Sequence, residues 1–202
     1  MDNPEDQWIA QAIQGDQQAF SQLVELYHKR VFSVCYRMLG TPTAAEDAAQ
    51  ESFIRAFQAL DRYDPDRSFA TWLLSITSHY CIDQLRKKKI NFLSMDNEKY
   101  AWLAPPARGP NPEKMALQRE KQAQVQAMLQ QLNETDRAAI ILQYWHDYSY
   151  QDIADTLDLT LSAVKSRLYR ARQALAESWQ AEKSAPSSQQ RPERIAHESP
   201  TI

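Results

Sequence analysis

Lys165, Ser166, Arg167, Tyr169, Arg170 and Arg172 crowd into a short stretch of this chain. Guanidinium and ammonium groups bind phosphates, and Arg or Lys can also reach base edges in a major groove, so the set suits a nucleic acid. Residues 160–180 hold these four bases against one acid, Glu177, a net of +3. Residues 1–60 lean the other way, with eight acids against four bases and a net of -4, in a chain whose total is -3. Such asymmetry implies two kinds of partner, one a polyanion and one basic. Nothing comparable suggests covalent chemistry. His28, His79, His146 and His197 are scattered, only 3 glycines are available for a phosphate cradle, and no Ser/His/Asp spacing or metal-ligand cluster is recognisable. A non-enzyme with no catalytic residues, no cofactor and no metal is expected.

The cationic set needs a helix to present it and a second helix to brace that one. Ser149 followed by Asp152 reads as a capping box opening a short helix whose buried face is Ile153, Ala154 and Leu157. Asp158, Leu159 and Thr160 form the turn. Thr160 then caps a second helix with Val164, Leu168 and Leu175 inward and Lys165, Ser166, Tyr169 and Arg170 outward, flanked by Arg167 and Arg172. This is a helix-turn-helix pattern. Ala154 supplies the small residue needed where the helices cross, Val164 the apolar residue facing it, and Asp158 tolerates the left-handed turn conformation better than most residues. A solvated basic helix face is the plainer alternative.

Few glycines and recurrent Ala, Gln and Leu indicate an all-α fold. Helical periodicity runs from about Pro4 to Lys89, broken at Gly40–Pro42 and around Asp61–Arg67. It fails between Asn91 and Pro112, where five Pro and Gly residues gather, and resumes at Glu113 with Val125, Met128, Leu129 and Leu132 on one face, continuing through Ala138, Ile141, Leu142 and Trp145. Two small helical domains are therefore expected, at 5–90 and 113–180, joined by a flexible linker over 91–112 and followed by a disordered tail over 181–202. No stretch approaches the ~20 apolar residues needed to span a bilayer, and the N-terminus does not resemble an export signal, so a cytoplasmic protein with no membrane insertion is expected. Cys35 and Cys81 lie in apolar helical patterns and read as buried thiols rather than a disulfide or zinc site.

In the first half, TPTAAEDAAQESFIRAFQAL opens with Pro42 and a Thr43–Glu46 capping box and lines up Ala49, Phe53, Phe57 and Leu60 as a core stripe. Asp47, Gln50, Glu51, Ile54 and Arg55 fall on its other faces. The next helix, RSFATWLLSITSHYCIDQLRKKK, puts Phe69, Leu73, Ile76 and Tyr80 on one side, with Trp72 read as core. Thr71, Ser75, Ser78, His79 and Arg86 lie elsewhere, ahead of Lys87, Lys88 and Lys89.

The stretch YSYQDIADTLDLTLSAVKSRLYRARQAL resembles the promoter-reading C-terminal domain of the extracytoplasmic-function (ECF) sigma factors of the sigma-70 family. The Glu-Asp, Gln-Glu and Phe-Ile-Arg-Ala succession after Pro42 resembles the family's polymerase-docking helix. The resemblance covers roughly residues 5–178 and implies an alternative sigma factor, acting in stress-response transcription, with core RNA polymerase as partner through its largest-subunit clamp coiled coil and its flap. Promoter DNA and an anti-sigma factor are the other implied partners. Asp47, Gln50, Glu51 and Ile54 would then dock on polymerase. Arg62, Arg67, Ser75, His79, Arg86 and Lys87 would serve the minus-ten element, where a single strand must be held and its bases unstacked. Lys165, Ser166, Tyr169 and Arg170 would read the minus-thirty-five element, with Arg167 and Arg172 on phosphates. The family commonly has Asn where His79 stands and Gly-Thr where Ser162-Ala163 stands, which touches specificity rather than function. Other readings are a stand-alone repressor or activator, which would dimerise on a palindrome, an antagonist or adaptor mimicking a sigma domain, and an enzyme acting on nucleic acid.

Overall fold

A computed structural model of the protein describes residues 3–94 and 112–184. Among them are eight α-helices and one 3-10 turn: α1 Pro4–Ile13, α2 Gln17–Leu39, α3 Pro42–Gln58, the 3-10 turn Leu60–Arg62, α4 Phe69–Ser94, α5 Pro112–Gln130, α6 Glu134–His146, α7 Tyr150–Leu157 and α8 Leu161–Ser184. The helices form two groups, α1–α4 and α5–α8. The all-α class holds, whereas the helices run to Ser94 and Ser184, into stretches read as linker and tail. Residues 95–111 and 185–202, the rest of that linker and tail, lie outside the described residues.

The helix ends follow the local chemistry. Asp16 caps α2 by accepting from the backbone N–H groups of Gln18 and Ala19, after Gly15 turns the chain at φ 94°. That break between α1 and α2 went unread in the periodicity. Gly40 ends α2 in the left-handed conformation, φ 89°. α3 corrects the expected cap: Thr41, not Thr43, is the N-cap, its Oγ1 accepting from the Ala44 N–H at 3.3 Å. Pro42, lacking an N–H and carrying a helical φ, belongs at the first helical position, which moves the cap one residue upstream of it.

α3 packs on α2 and α4 through small residues, with Ala45, Ala48, Ala49, Ser52 and Ala56 all buried beside Phe53. Short side chains let the helix axes come close. This rotates the stripe away from Phe57, which is 40% exposed and rests edge-on against Phe20, with ring centroids 4.9 Å apart. Cys35 of α2 and Cys81 of α4 meet in this core as free, fully buried thiols with sulfurs 3.8 Å apart. Ser78, read as lying off the core face, is also fully buried.

The two groups are not separate cores. Buried residues from both form one cluster, with α2 against α5 and α6, and α4 against α6 and α7. Here the expected face of α5 is corrected: Val125 is 41% exposed, while Gln126 is buried and donates from Nε2 to the Arg37 carbonyl of α2 at 2.9 Å. A polar side chain wins the inward position because it meets an open carbonyl at a helix C-terminus.

His146 ends α6 at this junction, in a groove it shares with Lys29, Arg30, Ser33, Trp145 and Asp147. Burial, then the positive fields of Arg37 and Arg30, push its pKa down to about 4. Stability is therefore fully present above the ordinary histidine pKa of about 6.5 and is lost as pH falls from there toward 4, because only the unfolded chain takes up the proton readily. The contribution is on the order of 2 kcal/mol after allowing for partial solvent screening. Urea melts at pH 7 and pH 4.5 should show a smaller acid loss in His146→Gln than in the native chain; equal losses would exclude this histidine as the cause.

Candidate nucleic-acid and protein interfaces

The helix-turn-helix forms as its residues dictate. Ser149 Oγ accepts from the Asp152 N–H at 3.1 Å, and Asp152 Oδ2 accepts from the Ser149 N–H at 2.9 Å, closing the capping box. Ile153, Ala154 and Leu157 are buried, and Asp158 takes the left-handed conformation at φ 54°, ψ 50°. Thr160 Oγ1 then accepts from the Ala163 N–H at 3.2 Å to start α8, whose Val164, Leu168 and Ala171 are buried, with Leu175 half-buried.

The outer face of α8 presents Lys165, Ser166, Tyr169 and Arg170, all exposed. Tyr169 is 58% exposed, and its hydroxyl accepts from Gln173 Nε2 at 2.9 Å, which steadies the ring on the surface. The flanking arginines differ from these four. Arg167 Nη1 donates to Asp136 Oδ1 at 2.8 Å, and Asp136 is buried at the start of α6. That ion pair ties α8 to α6, so Arg167 is first a brace for the reading helix. Arg172 Nη1 points to the Tyr150 hydroxyl at 3.5 Å, at the edge of hydrogen-bonding range, and keeps its donors close to the surface.

In the first group, Glu46, Asp47, Gln50 and Ile54 line the outer face of α3, all exposed, with Ile54 at 52%. Glu51 sits beside them but is already paired: Arg55 Nε donates to its Oε1 at 2.7 Å, and the same guanidinium lies 4.7 Å over the Tyr80 ring of α4. An exposed pair one helical turn apart contributes only about 0.3–0.5 kcal/mol, so a partner's cation can replace Arg55 at small cost.

The candidates for single-stranded DNA lie along a second surface. Arg62 closes the 3-10 turn and Arg67 sits in the loop that follows, both exposed. Beneath them Tyr63 anchors the loop: its hydroxyl donates to the Arg67 carbonyl at 2.5 Å, and its ring packs on Phe69 and Trp72 with centroids 5.4 and 5.2 Å away. Trp72 is therefore part of the loop's footing, as its spacing suggests. Farther along α4, His79 Nδ1 lies 2.9 Å from the Ser75 carbonyl, a contact that requires the proton on Nδ1. The ring itself is exposed. Arg86 and Lys87 lie exposed nearer the end of the helix with Lys88 and Lys89.

Sequence reasoning missed Asp136, Gln126 and Arg137, which hold these surfaces in place. Arg137 is only 4% exposed. Its Nη1 donates to the Met38 carbonyl at 2.6 Å and Gln130 Oε1 at 2.8 Å, and its Nη2 donates to the Gln130 and Leu132 carbonyls at 3.0 and 3.1 Å. Glu134 and Asp136 stand in the first turn of α6, but nothing in the local pattern marked the next residue as buried. Among the described residues no cluster of His, Cys, Asp and Glu could hold a metal, and no helix is long and apolar enough to cross a membrane.

Comparison with known proteins agrees with this architecture. Residues 23–90 match the model of Sigma-70 region 2, and residues 122–175 match that of Sigma-70, region 4. The chain is 36% identical over 175 residues to the ECF RNA polymerase sigma factor SigW of Bacillus subtilis, covering 83% of this chain and 92% of that one. It is 32% identical over 177 residues to the RNA polymerase sigma-H factor of Pseudomonas aeruginosa, covering 85% and 92%. Among solved structures, CnrH in complex with the cytosolic domain of CnrY superposes with a TM-score of 0.66 at 28% identity, over 89% of this chain and 99% of that one. With both regions present in order and a full-length relative above 30% identity, the chain belongs to the ECF sigma factors of the sigma-70 family.

Proposed function

We propose that the chain is an alternative sigma factor whose first group of helices, about residues 5–90, docks on core RNA polymerase and captures minus-ten bases, while the second, about 113–180, anchors the minus-thirty-five duplex. The observation that carries this reading is the joint presence, in one chain, of an acidic and apolar face on α3 and a capped reading helix α8 with Lys165, Ser166, Tyr169 and Arg170 outward. Asp47, Gln50, Glu51 and Ile54 meet the clamp coiled coil of the largest subunit, and the second group also meets the flap. Arg62, Arg67, Ser75, His79, Arg86 and Lys87 hold the opened strand. Arg172 contacts a phosphate beside α8, and Arg167 does so only secondarily to its pair with Asp136. The chain adds no catalysis of its own: polymerase does the chemistry, and the chain selects where. Acting on polymerase and promoter DNA, the chain works in the cytoplasm. The likeness to CnrH, solved with the cytosolic domain of CnrY, supports control by a protein antagonist of the anti-sigma kind.

Energetics favour this division of labour. Opening DNA costs ~1.4 kcal/mol per base-pair step on average, more than a few side chains can supply, so strand capture draws on the binding energy of polymerase. Two weak DNA contacts carried on one polymerase raise each other's effective concentration, and neither group needs high affinity alone. An acidic chain can thus read a promoter.

Run-off transcription with core polymerase tests the reading directly. Promoter-specific starts are expected only when the chain is added; their absence, or failure to associate with core polymerase in gentle salt, would sink it. Arg170→Ala should cost ~1–3 kcal/mol at one upstream base position and relax the preference there. A uniform loss across all upstream sequences would instead make Arg170 a phosphate contact.

A further inference from the structure

Tyr63 anchors the loop over residues 60–68, and what holds Tyr63 lies outside that loop. The rings of Tyr27 in α2 and Phe69 in α4 have centroids 5.5 Å apart, and Phe69 lies 5.4 Å from both Tyr63 and Trp72. Tyr27, Tyr63 and Phe69 are all buried. Aromatic rings at such distances fix one another's position as well as removing area from water. The far end of this cluster is polar: the Tyr27 hydroxyl donates to Glu5 Oε1 at 2.6 Å, across 22 positions of sequence. A carboxylate acceptor makes this a charge-assisted bond, roughly twice as strong as a neutral one. Glu5 stands in the first turn of α1, which packs on α2 and on the 3-10 turn Leu60–Arg62. Burial, then the negative fields of Glu5 and Asp6, raise the Tyr63 pKa, so the acidic end of α1 also lies beside the loop's anchor.

At its other end the cluster meets backbone. The Tyr63 hydroxyl donates to the Arg67 carbonyl, the Arg67 N–H donates to the Asp64 carbonyl at 3.0 Å, and the Asp66 N–H donates to Asp64 Oδ1 at 3.1 Å. Residues 64–67 are thus a closed turn, and Arg62 and Arg67 are exposed on either side of Tyr63. A base edge has to be met to within about 0.5 Å, whereas an arginine on a flexible stem follows a phosphate that moves. Displacing the turn therefore costs base discrimination before it costs grip on the strand.

We infer that Glu5 and Tyr27 are positioning residues for minus-ten recognition: their hydrogen bond sets, through the Phe69 and Tyr63 rings, where the loop over 60–68 meets the opened strand. The inference rests on the minus-ten role proposed above for Arg62 and Arg67. Neither Glu5 nor Tyr27 touches DNA. α1 thereby belongs to the reading apparatus although it carries no reading side chain. The plainer role for the bond is to satisfy a buried hydroxyl and stabilise the fold, and the two roles differ in what a variant loses.

The test uses holoenzyme reconstituted with the full chain, on promoter libraries randomised over the minus-ten element and, separately, over the minus-thirty-five element. Discrimination is the ratio of run-off rates between the best sequence and its single substitutions. Tyr27→Phe and Glu5→Ala should each reduce minus-ten discrimination by about 3- to 10-fold, the size of one net hydrogen bond. Core polymerase affinity and minus-thirty-five discrimination should stay native. The combined variant should lose no more than either single one, because both act through the same bond. Glu5→Gln, whose amide oxygen still accepts from the Tyr27 hydroxyl, should keep native discrimination. Native minus-ten discrimination in both Tyr27→Phe and Glu5→Ala, or additive losses in the combined variant, would overturn the inference. Equal losses at both elements with a lowered melting temperature would overturn it too, leaving the bond as a stabiliser of the fold. A native holoenzyme indifferent to the minus-ten sequence, or one whose minus-ten discrimination survives Arg62→Ala with Arg67→Ala, would instead overturn the reading of the loop on which the inference rests.

Discussion

Arg137→Leu should cost about 3–5 kcal/mol of stability, the largest loss expected from any single polar substitution in the chain. The guanidinium is buried and makes four hydrogen bonds, all to uncharged oxygens. Those oxygens belong largely to the ends of α2 and α5, where helix carbonyls are open and the helix dipoles are negative, so two helix termini converge on one cation. Burial lowers its pKa from the usual arginine value, yet arginine stays protonated throughout the working range and the charge must be accommodated. Leucine would fill most of the space but leave the Met38, Gln130 and Leu132 carbonyls dry and unpaired, and each such group costs about 1–3 kcal/mol. Lysine, a point charge without the planar fork, should restore only part of the loss. Urea denaturation of the full chain measures this; a loss below about 1 kcal/mol would mean that water reaches the carbonyls and that the junction is looser than described.

Reversing the charge on the outer face of α3 should have the largest effect on function. Asp47→Lys combined with Glu51→Lys is expected to weaken core polymerase binding by about 2–4 kcal/mol, roughly 30- to 1,000-fold, because like charges would face a basic partner across the interface. Folding should barely change, since Asp47 is exposed and Glu51 gives up only its surface pair with Arg55. The defect should be largest at low salt and shrink as salt screens the repulsion, whereas loss of an apolar anchor such as Ile54 would be far less salt-dependent. Titrating labelled core polymerase at two ionic strengths separates these cases. Affinity within twofold of the native chain at both would move the docking face off α3.

These effects arise at different levels of legibility. The helix-turn-helix could be read residue by residue because its determinants are local: a cap at Ser149, a left-handed Asp158, a cap at Thr160, and apolar residues at helical spacing, all of which the structure reproduces. The outward faces of α3 and α8 were legible for the same reason, since helical periodicity separates inside from outside within a few residues. Where a stripe had to choose between neighbours, periodicity was not enough. Phe57 and Val125 have the right spacing to be buried, but close approach of helices at alanines on α3, and an open carbonyl facing Gln126 on α5, turned each helix by about one position.

By itself, then, the amino-acid sequence determined the all-α class, the reading helix and its brace, the acidic and basic halves, and through its motifs the family. Each depends on contacts a few residues apart, or on charge that needs no partner to be counted. Only the tertiary structure decided that Arg167 braces α8 through Asp136, that Arg137 and Gln126 finish the end of α2, and that the two groups share one core. Those facts rest on carbonyls and carboxylates brought together from positions 31 to 99 residues apart. A backbone acceptor looks the same at every residue, so no side-chain pattern announces which one will be left open for a distant donor.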